Sequence, residues 1–230
     1  MPYMPVPLDN TCVLYIRAED NLATGYDDAT HYGNNATVAG AVPCNGISGQ
    51  GISFDGADDC LSIADAASLD CTTLTVAAWV RLAATWLAVG HVIGKCEDSG
   101  SEYSYGFGVD AAAKPFLLVS NDGAAGTAET ANAAISLDAW HHIAGTFSGG
   151  TYLLYVDGAV VASDAVGADL TIYAGTGRVT VGARYDSGAA EAVEEFKDLM
   201  DDVIVFNRVL SAQEIHELYM VHAGDDTREA

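Results

Sequence analysis

Short runs of apolar, β-branched and aromatic residues recur from one end of the 230-residue chain to the other, each closed by Gly, Asp or Asn. "TCVLYIRA" opens the series, and "GISFDG", "DCLSIAD", "LTVAAWVRL", "HVIGKC", "SYGFGVD", "PFLLVSN", "WHHIAGTF", "TYLLYVDG", "GRVTVGAR" and "DDVIVFNR" continue it. Punctuation of this kind is how antiparallel strands joined by turns read. No long helical pattern alternates with these runs, so a parallel βαβ fold is excluded. One helix is signalled, at the C-terminus. In "SAQEIHELYM", Ser211 is an N-cap with Glu214 three residues on, a capping box, while Ile215, Leu218 and Tyr219 repeat at helical spacing. The expectation is one all-β domain over residues 1 to 220, with a polar tail over 221 to 230. The Gly- and Ala-rich stretches 20 to 50 and 182 to 195 read as loop insertions between strands.

Charge narrows the partners. With 32 acidic against 9 basic residues the net charge is −23, which repels nucleic acid and an anionic bilayer over the whole surface. The acids are 22 Asp and 10 Glu, and Lys occurs only three times, a skew that resembles proteins adapted to high salt. No stretch approaches the ~20 apolar residues of a membrane helix, so membrane insertion is not expected. "MPYMPVPLDN" lacks the basic start and apolar core of a signal peptide. The five cysteines are widely and irregularly spaced with no C-x-x-C pair, and they read as core or loop thiols.

"DAWHHIAGTF", residues 138 to 147, first suggests a metal site or a general base. Strand alternation places Trp140, His142, Ala144 and Thr146 on one face and His141, Ile143, Gly145 and Phe147 on the other. Two imidazoles pointing in opposite directions do not chelate one ion. The next strand sorts Tyr152, Leu154 and Val156 against Leu153 and Tyr155. Gly149 and Gly150 of "FSGGTY" supply the positive φ of a tight hairpin, and Asp157-Gly158 closes a second turn. His142 then shares an outward face with Tyr155, the side of the strand that would meet a ligand.

"FDGADDCLSIADAASLD", "LTVAAWVRL", "AWHHIAGTFSGGTYLLYVDGAVVAS", "VTVGAR" and "FKDLMDDVIVFNRVLSAQEIHELY" occur in the order of the laminin-G-like, concanavalin-A-like lectin-glucanase domains. The chain resembles that superfamily over about residues 10 to 219. The resemblance implies a two-sheet antiparallel jelly-roll sandwich in which the Trp, His and hairpin residues are framework. It also implies a structural calcium held by an Asp before the last strand, here Asp202, with Glu19 or Asp20, Asp28 and Asp55 as co-ligands.

Catalysis is not signalled. The jelly-roll hydrolases' E-x-D-x-x-E, which places two carboxylates across the cleft, does not occur, and neither do lyase-type Arg-Glu and Gln-x-His strands. Ser136 and Ser148 lie near histidine in sequence but in no G-x-S-x-G elbow. Acids follow Cys96, which argues against a reactive thiol. Sugar binding needs an aromatic platform with polar groups beside it. The candidates are Trp86, Tyr103, Tyr105, His142, Tyr155 and Tyr185, flanked by Arg81, Arg184, Asn121 and Asp186, whereas Trp79 reads as core. The expected function is a non-catalytic lectin-like module on an extracellular or virion surface, with a glycan or surface protein as ligand. The rivals are a virion structural protein that assembles with other virion proteins or with copies of itself, and a glycoside hydrolase or lyase without a recognised motif.

Overall fold

The computed structural model describes residues 9–19, 25–86, 88–97, 102–124, 126–165, 170–186 and 191–223. In chain order the first strands are β1 (Cys12–Ile16), β2 (Gly25–Tyr26), β3 (Ala36–Ala39), β4 (Val42–Asn45), β5 (Gln50–Asp55), β6 (Cys60–Ile63), β7 (Leu74–Arg81), β8 (Gly90–Glu97) and β9 (Glu102–Val109). They are followed by β10 (Pro115–Gly123), β11 (Thr127–Thr130), β12 (Trp140–Ser148), β13 (Thr151–Val156), β14 (Ala159–Ala165), β15 (Val179–Val181), β16 (Arg184–Asp186), β17 (Glu191–Val193) and β18 (Lys197–Phe206). Helix α1 (Ala212–His222) ends the described chain.

The first sheet runs β14-β13-β12-β7-β18-β5-β4, with β1 added against β18. The second runs β11-β10-β9-β8-β15-β6-β3-β2, and the β16–β17 hairpin lies against β8. Among the described residues every pairing is antiparallel except Tyr185 of β16 beside Glu97 of β8. This is the expected jelly-roll sandwich. Its core follows the period of two: Ile143 and Phe147 of β12, Tyr152 and Leu154 of β13, and Val76 and Val80 of β7 point between the sheets. They meet Tyr105, Phe107, Leu117, Val119 and Val181 from the other side. Each such side chain, taken out of water, contributes about 1.5–3 kcal/mol. Gly145 lets the sheets close, since a Cβ there would press to 3.2 Å from Leu117.

The outer face of the first sheet is also apolar, and α1 covers it. Ile215, Leu218 and Leu210 pack there with Tyr15, Ala77, Ala144, Tyr155, Ile204 and Phe206. The capping box forms as its sequence requires: Ser211 Oγ accepts from Glu214 N, and Glu214 Oε2 accepts from Ser211 N at 2.8 Å. The helix runs on to His222, which is buried, so the compact part extends past the boundary expected at 220.

Two expected loop insertions contain strands. β2, β3 and β4 fall within 20 to 50, and β16 and β17 within 182 to 195. All are two to four residues long, too short to show alternation. All five cysteines are free thiols. Among the described residues no helix is long and apolar enough to cross a membrane.

β18 changes partner halfway along. Its first half lies against β5 and its second half against β1. The change falls at Asp201–Asp202, where the ladder to β7 slips and Asp202 takes a φ of 49°. A bulge at such a point bends the strand and opens a gap beside it.

Candidate functional site

The two histidines of the WHH stretch part as alternation requires, but their exposure is the reverse of that expected. His142 shares its face with Tyr155, and α1 covers that face: His142 is 3% exposed and Tyr155 1%. His142 packs edge-on to Trp79 at 5.5 Å, with Tyr219 at 6.4 Å. Burial pushes its pKa down to about 4, and among the described residues its Nδ1 has no hydrogen-bond partner. Neither His142 nor Tyr155 meets a ligand from solvent there. His141, on the core side but at the strand's end, is partly exposed and bonded through both ring nitrogens, to Asp157 Oδ2 at 2.8 Å and to Ser136 Oγ at 2.6 Å.

Two more aromatic candidates are interior. Trp86 is buried at 4% exposure, tilted against Phe196 at 5.2 Å, and donates from Nε1 to the Asp110 carbonyl at 2.7 Å. The loop ring has its reason in packing, not in ligand contact. Tyr105 is fully buried between the sheets, where β9 turns it inward, and burial drives its pKa far up.

Tyr103 and Tyr185 each meet an arginine. β16 lies along the end of β8, which brings Arg184 to Tyr103 of β9. Arg184 donates to Tyr103 Oη at 2.8 Å, and the Arg178 guanidinium lies 4.1 Å above the Tyr185 ring. Both rings are half-buried and Arg178 is exposed. Behind them Glu194 accepts from His91 Nε2 and from Arg184 Nε, each at 3.0 Å, and those bonds, that of His91 foremost, hold its carboxyl down at about 2. This end of the sheet carries two Tyr–Arg pairs, of which Arg184–Tyr103 is backed by Glu194. Sequence reading reached both tyrosines and Arg184 but not Arg178, His91 or Glu194, whose partners arrive only when the β16–β17 hairpin folds onto β8.

The residues nominated for calcium do not converge on one point. Asp28 is a turn hub whose carboxylate accepts from the amides of Tyr15, Thr30 and Asn34 and from the Thr30 hydroxyl. Asp55 stands opposite Lys197, at the far end of β18 from Asp202, and clusters with Asp58 and Asp59. Asp20 lies outside the described residues. Glu19 and Asp202 do meet. Both line a groove of about 350 Å³, with Tyr15, Arg17, Ser48, Gly49 and His222, in the gap where β18 changes partner. Asp202 accepts from Tyr15 Oη at 2.7 Å and pairs with His222 Nε2 at 2.9 Å. Beneath it Asp201 is buried, and that burial together with Asp202 pushes its carboxyl far above the usual range. Carboxylates are donors of the hard oxygen type that calcium takes.

The fold is an antiparallel jelly-roll sandwich. The chain belongs to the concanavalin A-like lectin/glucanases superfamily, whose laminin G model matches residues 55–216. No curated protein matches it in sequence. Among solved structures it is similar to the binding domain of Paraclostridial Mosquitocidal Protein 1, with a TM-score of 0.72 at 12% identity over 93% of this chain and 52% of that one. Domain 4 of AbnA, an extracellular arabinanase from Geobacillus stearothermophilus solved with arabinotriose, gives 0.67 at 14% identity, covering 91% and 98%. A Trypanosoma rangeli sialidase gives 0.70 at 18%, covering 97% of this chain and 34% of that chain. The chain thus spans about half the length of the toxin binding domain and nearly all of the arabinanase domain.

Proposed function

We propose that this domain is a glycan-binding module displayed on a surface, with its ligand at the corner formed by Tyr103, Tyr185, Arg178 and Arg184. The observation that carries the reading is that each of two half-buried tyrosine rings pairs with a guanidinium at the end of the β8–β16 ladder. A pyranose stacks its apolar face on an aromatic ring while guanidinium N–H groups donate to its hydroxyls. The arabinanase domain solved with arabinotriose, on the same fold, supports the ligand class. A protein receptor on that corner is the competing occupant. A broad glycan array should give hits that fall at least tenfold in Tyr185→Ala with the melting temperature unchanged. A silent array, or hits indifferent to both Tyr185→Ala and Arg178→Ala, would remove the corner as the site.

We further propose a structural calcium between Glu19 and Asp202. The groove at the β18 bulge supports it, because the ion would tie the end of β1 to that strand. Calcium should then raise the melting temperature, and Asp202→Asn should abolish the rise. Identical melting curves with calcium and with chelator would exclude it.

A further inference from the structure

Ser136, which no sequence motif marks as a nucleophile, is brought by the fold to the imidazole of His141. Ser136 Oγ stands 2.6 Å from Nε2 and Asp157 Oδ2 stands 2.8 Å from Nδ1. An ionised carboxylate only accepts, so Nδ1 carries the ring proton, Nε2 presents its lone pair, and the Ser136 hydroxyl donates to it. Nucleophile, base and orienting acid follow one another in the order that acyl transfer uses. We propose that Ser136, His141 and Asp157 form an acyl-transfer site that hydrolyses short-chain esters.

The parts are held from outside the triad. Asp157 donates its amide to the His142 carbonyl at 2.8 Å, and its Oδ1 accepts from His142 N at 3.0 Å. The carboxylate is therefore fixed by the strand before it meets His141. Asp157 and Gly158 take φ values of 50° and 75°, a two-residue turn that leaves the carboxylate little freedom. On the other side, Ile135 N bonds Ala113 O at 2.8 Å and Asp138 N bonds Leu82 O at 2.7 Å, so the loop carrying Ser136 is pinned at both flanks. Asp138 sits at a φ of 60°, the kind of strained conformation that clusters at working sites. Ser136 is exposed, so an ester can reach it.

In the reaction Oγ attacks the ester carbonyl carbon as its proton passes to Nε2. The C–O bond to the alcohol then breaks, and the leaving oxygen takes that proton. Water repeats the sequence at the acyl-serine, giving the acid and free Ser136. A net charge of −23 disfavours anionic substrates, so the ester is a neutral one.

The test uses p-nitrophenyl acetate and a fluorophosphonate probe on the whole chain. One equivalent of probe should attach, located at Ser136 by peptide mass spectrometry. Ser136→Ala should lose the label and, like His141→Ala, about 100-fold or more of the hydrolysis. Ser136 is exposed, so its Ala variant should melt as the wild type does, which separates chemistry from folding. Asp157 acts through His141 and is a positioning residue: Asp157→Asn should lower kcat with KM held, and Asp157→Glu should recover part of the rate. Label at another residue, no label, or equal hydrolysis by Ser136→Ala would overturn the proposal.

Discussion

His141 and His142 are consecutive residues of one strand, yet they sit in opposite chemical situations. His142 lies beneath α1 among Trp79, Tyr219 and His222, 3% exposed, and burial holds its pKa at about 4. His141 lies at the strand's end with partners on both ring nitrogens. A period of two assigns faces correctly but does not say what covers a face. The side called outward received a helix, and the side called inward ran out at the rim. Asp157 serves both residues, giving one carboxylate oxygen to the His142 amide and the other to the His141 ring. One turn therefore fixes a buried backbone and a reachable side chain together.

The larger expected effect breaks the comparison from the buried side. The folded pKa of His142, about 4, lies below the unfolded value of 6.5. Between those values the unfolded chain binds more protons at this residue, so its contribution is fully present above pH 6.5 and is lost as pH drops toward 4, whereas the raised carboxyl of Asp201 contributes in the opposite sense. Desolvation is the main cause, while Asp157 and Asp202 pull the other way and His222 adds to the lowering. The loss should reach about 3 kcal/mol at 1.36 kcal/mol per unit. Urea titrations at stepped pH on the wild type and on His142→Phe, which keeps an aromatic ring beside Trp79, should show it as a difference between the two curves that grows as pH drops from 6.5 toward 4, the Asp201 contribution being common to both. The carboxyls of Glu194 and Glu214, held at about 2, contribute their losses only below their usual 4.5, which separates them from the histidine.

The same distinction shows how far the sequence could be read. Long strands such as β7, β12 and β18 carry enough alternating apolar residues to be seen unaided, and the capping box at Ser211 announced α1. β2, β4 and β11 offer only Gly-Tyr, a proline-bearing edge and "TAET", patterns that any turn could carry. Trp86 read as a loop aromatic because its partners, Phe196 and the Asp110 carbonyl, are remote in sequence. Ser136 carries no motif, although the residue that matters to it is five positions along. The surroundings of Tyr103 and Tyr185 were half visible: both tyrosines stood out as aromatics, but the hairpin that brings Tyr185 to Arg178 and leads into Glu194 gave no periodic signal.

The smaller effect sharpens the comparison at Asp157, where the two histidines share a carboxylate. Asp157→Asn keeps an oxygen for the His142 amide, and Asn tolerates the φ of 50° found there. The other oxygen becomes an NH2 group, which cannot accept from His141 Nδ1–H. The ring must then shift its proton to Nε2 or lose the bond, at a cost of about 1 kcal/mol. Imidazole 15N spectra should show His141 changing tautomer while the His142 resonances stay in place. If both rings moved together, the turn would be transmitting strain across the strand, and the two faces of β12 would not be independent.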